Sequence, residues 1–265
     1  MCQRWVRAAV CARLTVLLHD KVVLVTGATR GIGRSTAVLL AQRGARVVCV
    51  GRDTAAAREV ASLTGGSWLA VDLRNPGSAQ EVVEHAVAAH GRLDAVVANA
   101  GVGHAGDLAD MPVARVAELV EVNLLSPLLL ARASLPMMRA QRAGSLLFVT
   151  SIAGTLGVPG ESVYSATKAA VEAFADVLRE EVRSDGLVVS TVLPGVVDTD
   201  FFTNRGRLYD RRCPRPLPAE RAAQAVVGAL EAESRHVLLP AWLALPARLR
   251  ASAPALYRRL ERRFG

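Results

Sequence analysis

The chain is predicted to be an α/β protein built on one doubly wound parallel sheet with helices on both faces, and three observations predict it. Short apolar, β-branched runs alternate with segments of helical periodicity over residues 21–239. The first run opens into a glycine-rich turn, TGATRGIG at residues 26–33, and then into a helix. A later run ends in a serine, followed by a tyrosine and a lysine four positions apart. Strand ends of this kind are where open α/β sheets bind ligands.

Residues 21–26 (KVVLVT) read as a buried strand and residues 34–43 as the helix after it. The glycines between them, Gly27, Gly31 and Gly33, with Arg30 and Ile32, form a phosphate cradle: glycine lets the backbone turn tightly and approach closely, and free amides at a helix start favour a pyrophosphate. The spacing G-x-x-x-G-x-G differs from the G-x-G-x-x-G fingerprint, and an ordinary βα turn is the alternative. Residues 45–50 (ARVVCV) are a second strand, ending in Gly51, Arg52 and Asp53. An acid at this tip suits the ribose 2′-OH of NAD, and an arginine suits the 2′-phosphate of NADP. Arg52 and Arg30 therefore predict a preference for NADP(H), with NAD(H) as the alternative. Asp53 either caps the next helix or contacts the ribose.

Residues 68–71 are a third strand leading to Asp72 and Leu73, placed to touch an adenine, and residues 75–90 a helix stopped by Gly91. Residues 93–98 (LDAVVA) are a fourth strand ending in Asn99, Ala100 and Gly101, where a polar amide suits support of the sheet and access to the cofactor. Residues 112–140 read as one helix with Asn123 in an apolar surround. A buried asparagine there needs partners, which makes it a polar relay candidate against a solvent-facing alternative.

Residues 144–150 (GSLLFVT) are a strand with Ser151 at its end, and residues 162–181 a helix with no Pro or Gly inside. Tyr164 and Lys168 then share a helix face, roughly 5–6 Å apart at Cβ. A phenol with a pKa near ~10 is a poor base at neutral pH. The expectation is that the Lys168 ammonium, with more from an oxidised nicotinamide ring, favours the phenolate, Tyr164 passes the proton and Ser151 hydrogen-bonds the substrate oxygen. Such a trio suits proton exchange at a carbonyl or alcohol oxygen while a hydride moves at the carbon. By itself the Tyr and Lys spacing is also ordinary surface packing.

Residues 187–193 are another strand, running into Pro194, Gly195, Val196, Val197, Asp198 and Thr199, with Thr199 in reach of a nicotinamide carboxamide. Residues 201–217 lack periodicity and read as a lid or binding loop. Residues 219–233 are a helix and residues 236–239 a last strand.

The net charge of +8 belongs to the two ends. Residues 1–19 hold three arginines and no acid, and residues 243–265 six arginines against Glu261, which leaves residues 20–242 formally neutral. That distribution argues against a nucleic-acid groove. Cys2, Cys11, Cys49 and Cys213 have no metal-ligand spacing, so reduced thiols, a cytoplasmic setting and no metal are expected. No apolar run reaches the ~18 residues of a membrane span. The domain is placed at residues 20–240, residues 1–19 are an extension of it, and residues 241–265 are a basic amphipathic tail. In the tail Trp242, Leu245, Leu249, Leu256, Leu260 and Phe264 recur between arginines. It is read as packing on its own domain or a sister subunit, with peripheral contact to an anionic membrane as the alternative.

Together these residues resemble the short-chain dehydrogenase/reductase family over about residues 20–240. TGATRGIG at 26–33, Asp72-Leu73, NAG at 99–101, Asn123, Ser151, YSATK at 164–168 and PGVVDT at 194–199 match in identity, order and spacing. The resemblance implies a Rossmann-like domain with about seven parallel strands, assembled as a homodimer or homotetramer. It also implies that Ser151 orients the substrate, Tyr164 is the acid/base, Lys168 binds the nicotinamide ribose and Asn123 holds a water in the proton relay. The expected activity is an NADP(H)-dependent carbonyl reductase or alcohol dehydrogenase. A non-catalytic NADP(H)-binding sensor or scaffold and a 3-oxoacyl thioester reductase are the alternatives. Apolar residues at 152–159 and the loop aromatics point to a hydrophobic substrate; the loop arginines leave an anionic acyl carrier or coenzyme A thioester open.

Overall fold

The computed structural model describes residues 17–210 and 214–264. Cys2, Cys11, Cys213, Arg211, Arg212, the side chain of Phe264 and most of the predicted N-terminal extension lie outside the described residues. The elements follow in the order β1 (Val22–Thr26), α1 (Gly31–Gln42), β2 (Arg46–Gly51), α2 (Thr54–Thr64), β3 (Ser67–Ala70), α3 (Ser78–His90), β4 (Ala95–Ala98) and α4 (Val113–Val120). Then come α5 (Ser126–Gln141), β5 (Gly144–Val149), α6 (Ile152–Leu156), α7 (Ser162–Glu181), β6 (Leu187–Pro194), β7 (Val197–Asp198), α8 (Phe201–Asn204) and β8 (Leu217–Pro218). The chain continues with α9 (Ala219–Glu231), β9 (His236–Leu239), α10 (Ala244–Ser252) and α11 (Pro254–Phe264).

Seven strands form one parallel sheet in the order β3-β2-β1-β4-β5-β6-β9. Its strands are continuous apolar runs because both faces are covered. On β1 the side chains alternate: Val22 and Leu24 join the core shared with α3, α5 and α7, while Val23 and Val25 join the core shared with α1 and α9. All four are fully buried, each contributing roughly 1.5–3 kcal/mol. The chain reverses direction of winding between β1 and β4, so a crevice opens beyond their carboxyl ends.

Two elements differ from the sequence expectation. The first helix begins at Gly31, inside the glycine turn. The expected long helix at 112–140 is α4 and α5 joined by a π turn, Glu121–Leu125, which carries Asn123. The wider turn lets the buried Asn123 carboxamide meet the backbone of Val102: Oδ1 accepts from its amide at 2.8 Å and Nδ2 donates to its carbonyl at 2.9 Å. The solvent-facing alternative for Asn123 is thereby excluded, since it is 1% exposed. Cys49 lies buried in β2, and burial pushes its thiol up to about 11, which keeps it unreactive.

The turn from β1 into α1 is packed without room for a side chain. A Cβ on Gly33 would sit 2.1 Å from the Gly27 carbonyl oxygen and 2.5 Å from Asn99 Nδ2. Gly33→Ala is therefore expected to lower stability by roughly 1–3 kcal/mol, the cost of overpacking a fixed backbone contact. Thermal unfolding checks this, and a variant melting with the parent would contradict the packing described.

Candidate active site

The carboxyl ends of the strands frame a cleft of about 1700 Å³. Its floor is the glycine turn: Gly27, Arg30, Gly31 and Ile32 line it, with Gly33 packed behind. No side chain caps the start of α1, so its first-turn amides are left to a ligand. Gly31 has φ +51°, and a Cβ there would lie 3.1 Å from Thr199 Cγ2, so only glycine keeps that passage clear. An uncapped helix start behind a glycine floor fits a diphosphate.

The strand tips complete this half. Arg52 reaches the cleft from β2 and leans toward Glu118 at 3.8 Å. Asp53 accepts from the Ala56 amide at 3.0 Å, so its carboxylate caps α2, the first of the two roles open to it. Asp72 and Leu73 line the cleft, and Arg74 beside Asp72 holds that carboxyl below its usual range. Asn99 donates from Nδ2 to the Thr26 carbonyl at 2.9 Å, while Thr26 Oγ1 accepts from the amides of Asn99 and Ala100. These bonds clamp the ends of β1 and β4 together. Gly101, Pro194, Gly195, Val197 and Thr199 stand on the same wall.

The other half gathers Ser151, Tyr164 and Lys168. Ser151 leaves β5 as the cap of α6, accepting from the Ala153 amide at 3.1 Å, and it is hydrogen-bonded to Tyr164. Lys168 Nζ donates to the Val149 carbonyl at 3.0 Å and lies 5.9 Å from the Tyr164 ring centroid. Asn123 stands behind the wall, where it and Lys168 both face Gly101: a Cβ there would be 3.4 Å from Asn123 Oδ1 and 3.6 Å from Lys168 Nζ.

Among the chain's own groups, burial dominates the phenol. Burial pushes Tyr164 up to about 12, outweighing the Ser151 hydrogen bond, and Glu161 adds to the rise. Burial pulls Lys168 down to about 8. Lys168 Nζ is bonded to the Val149 carbonyl, and desolvation disfavours both charges. The Tyr164 phenol is thus protonated at neutral pH.

Several site residues were not anticipated. Arg205, in the segment read as a lid or binding loop, is 8% exposed and ion-paired with the buried Glu161. Its guanidinium also stacks over Phe202 at 4.5 Å, and its carbonyl accepts from the Ala105 amide at 3.0 Å. Phe201 of α8 packs on Tyr164 with ring centroids 5.4 Å apart. The tail returns to the cleft, where Trp242, Leu243, Pro246, Tyr257 and Leu260 form part of the wall. Glu172, one turn beyond Lys168, accepts from Thr155 Oγ1 at 3.2 Å, and burial pushes its carboxyl up to about 7. Its i, i+4 spacing from Lys168 was the available signal.

Residues 21–209 match the family described as short chain dehydrogenase. The chain belongs to the short-chain dehydrogenase/reductase family. It is an oxidoreductase of that family, 30% identical to mouse dehydrogenase/reductase SDR family member 7B over 94% of this chain and 82% of the relative. It is 37% identical to the 3-oxoacyl-[acyl-carrier-protein] reductase FabG of Vibrio cholerae over 69% of this chain and 76% of the relative. The fold is that of a short-chain dehydrogenase/reductase from Burkholderia phymatum solved with NAD: the TM-score is 0.82 at 24% identity, covering 91% of this chain and 96% of that one.

In this short-chain dehydrogenase, Glu172 links stability to pH. Its folded pKa is raised, so it favours the fold at acid pH and that contribution is lost as pH rises through about 7. Glu172→Gln should abolish this loss, leaving the parent a few degrees less stable relative to the variant above that pH than below it. Melting temperatures across the range check it; parallel pH profiles would contradict the assignment.

Proposed function

We propose that the protein is an NADP(H)-dependent reductase of apolar ketones, or dehydrogenase of the matching secondary alcohols. The observation that carries this reading is the convergence of Ser151, Tyr164 and Lys168 on a cleft whose other half is a glycine-floored cradle. The amides of Gly31, Ile32 and Gly33 would hold the diphosphate, Leu73 and Asp72 the adenine, and Pro194, Gly195, Val197 and Thr199 the nicotinamide end. Arg30 and Arg52 would meet a 2′-phosphate, and the commitment of Asp53 to its helix cap supports NADP(H) over NAD(H). When bound, the dinucleotide supplies or accepts the hydride at the carbonyl carbon.

The chain's own residues handle the oxygen and its proton. Ser151 hydrogen-bonds the carbonyl oxygen, and Tyr164 donates its proton to that oxygen as the C–H bond forms, leaving an alcohol. The raised phenol pKa keeps Tyr164 protonated at neutral pH, the form that reduction of a carbonyl requires. Lys168 steadies the phenolate left behind and the nicotinamide ribose, and Asn123, fixed on Val102, holds the water of the proton relay. Leu156, Val158, Phe201, Phe202 and Trp242 make the substrate end apolar. Reduction of a 3-oxoacyl thioester is a second reading, favoured by the relatedness to FabG. A sensor without catalysis would have no use for the intact trio.

A homo-oligomer in the cytoplasm is the proposed setting, with peripheral membrane contact through the exposed Leu245 and Leu256 of the tail. No helix among the described residues is long and apolar enough to cross a membrane.

Tyr164→Phe is expected to leave NADPH binding intact while cutting turnover by on the order of 10²-fold or more. Fluorescence titration with NADPH and a ketone assay measure the two, and undiminished turnover would overturn the assignment. The KM for NADPH should lie well below that for NADH, and the reverse order would refute the cofactor preference.

A further inference from the structure

A side pocket of about 300 Å³ opens beside the substrate end of the cleft, between the loop after α6 and the tail. Leu156, Gly157, Val158, Pro159, Ser162 and Tyr257 line both spaces, so the two lie side by side. The pocket also holds Ser165, Arg250 and Arg258.

The guanidinium of Arg250 is the anomaly. Its Nη1 is buried and has no hydrogen-bond partner. A buried, unpaired cationic donor is costly, and the usual resolution is an anion. The fold makes room for this arginine: Gly157 has φ +70°, and a Cβ there would lie 2.9 Å from Nη1. Arg258 adds a second guanidinium from α11, and neither arginine has an ion-pair partner among the described residues. Ser165 Oγ accepts from the Val158 amide at 3.2 Å, which leaves its own hydrogen to donate. Two guanidinium groups and a hydroxyl around one small space are complementary to a carboxylate or a phosphate. Ser165 follows Tyr164 directly in the first turns of α7, so the anion pocket and the proton donor are set by the same stretch of helix.

We propose that Arg250, with Arg258 and Ser165, is an anion-binding subsite, and that the substrate is an apolar ketone bearing a carboxylate or phosphate at the end remote from its carbonyl. This rests on the reductase reading above for the carbonyl, and on the side pocket for the anion.

The test compares ketones of one chain length that end in a carboxylate, a phosphomonoester or a neutral methyl ester, with the full chain and NADPH. One anionic ketone should exceed the ester in kcat/KM by on the order of tenfold or more, chiefly through KM, and the better of the two names the anion. Arg250→Gln should erase most of that preference, and Arg250→Lys should keep part of it. Equal turnover of the three ketones, or a loss in Arg250→Gln of the same factor for all three, would overturn the proposal. Calorimetric binding of the anionic ketones separates the two readings. Binding that depends on Arg250 without turnover would sink the reductase and keep the subsite; turnover of the ester with no Arg250-dependent binding would do the opposite.

Discussion

One hydrogen bond fixes the geometry on which the site depends: Lys168 Nζ to the carbonyl of Val149 at 3.0 Å. It ties α7, which carries Tyr164 and Lys168, to the end of β5, which leads to Ser151. Ser151 lies just past Val149 and Tyr164 one turn before Lys168, so both inherit their places from this contact. Holding a lysine that is 5% exposed disfavours its charge, and burial draws it down to about 8. The same dryness keeps the phenol protonated. Dry surroundings therefore hold both side chains toward their neutral forms.

Around this rigid centre the cleft is closed by segments from distant parts of the chain. The buried pair Glu161 and Arg205 fastens the segment carrying α8 to the loop that begins α7. A buried ion pair contributes little net stability compared with apolar packing, but breaking it leaves an uncompensated charge, so it fixes one arrangement of the loop. The tail closes the far side with Trp242, Leu243 and Tyr257. The sheet thus supplies the chemistry, while the less regular segments shape what can reach it.

Much of the fold was legible because parallel strands buried on both faces read as unbroken apolar runs, and glycine turns mark their ends. The π turn at Asn123 was not, since one wider turn barely disturbs helical periodicity. Asn99 and Thr26 illustrate a middle case: the amide was read as support for the sheet, but its clamp onto β1 depends on strands that are adjacent only in three dimensions. Burial is where sequence reasoning ran short. Arg205 is one of several arginines in an aperiodic segment, and its partner is Glu161, 44 positions away. The periodicity of the tail marked it as amphipathic without telling which arginine turns inward. The surroundings of Tyr164 show the same limit: a neighbouring ammonium can be read from spacing, desolvation cannot.

The central claim is that a proton donor and a hydride carrier meet one carbonyl in this cleft. Incubation with NADPH deuterated at C4 and a panel of apolar ketones, followed by NMR of the products, tests it most directly. The account predicts deuterium on the carbinol carbon, one for each NADPH consumed. Bound NADPH with no deuterium passed to any ketone would contradict it.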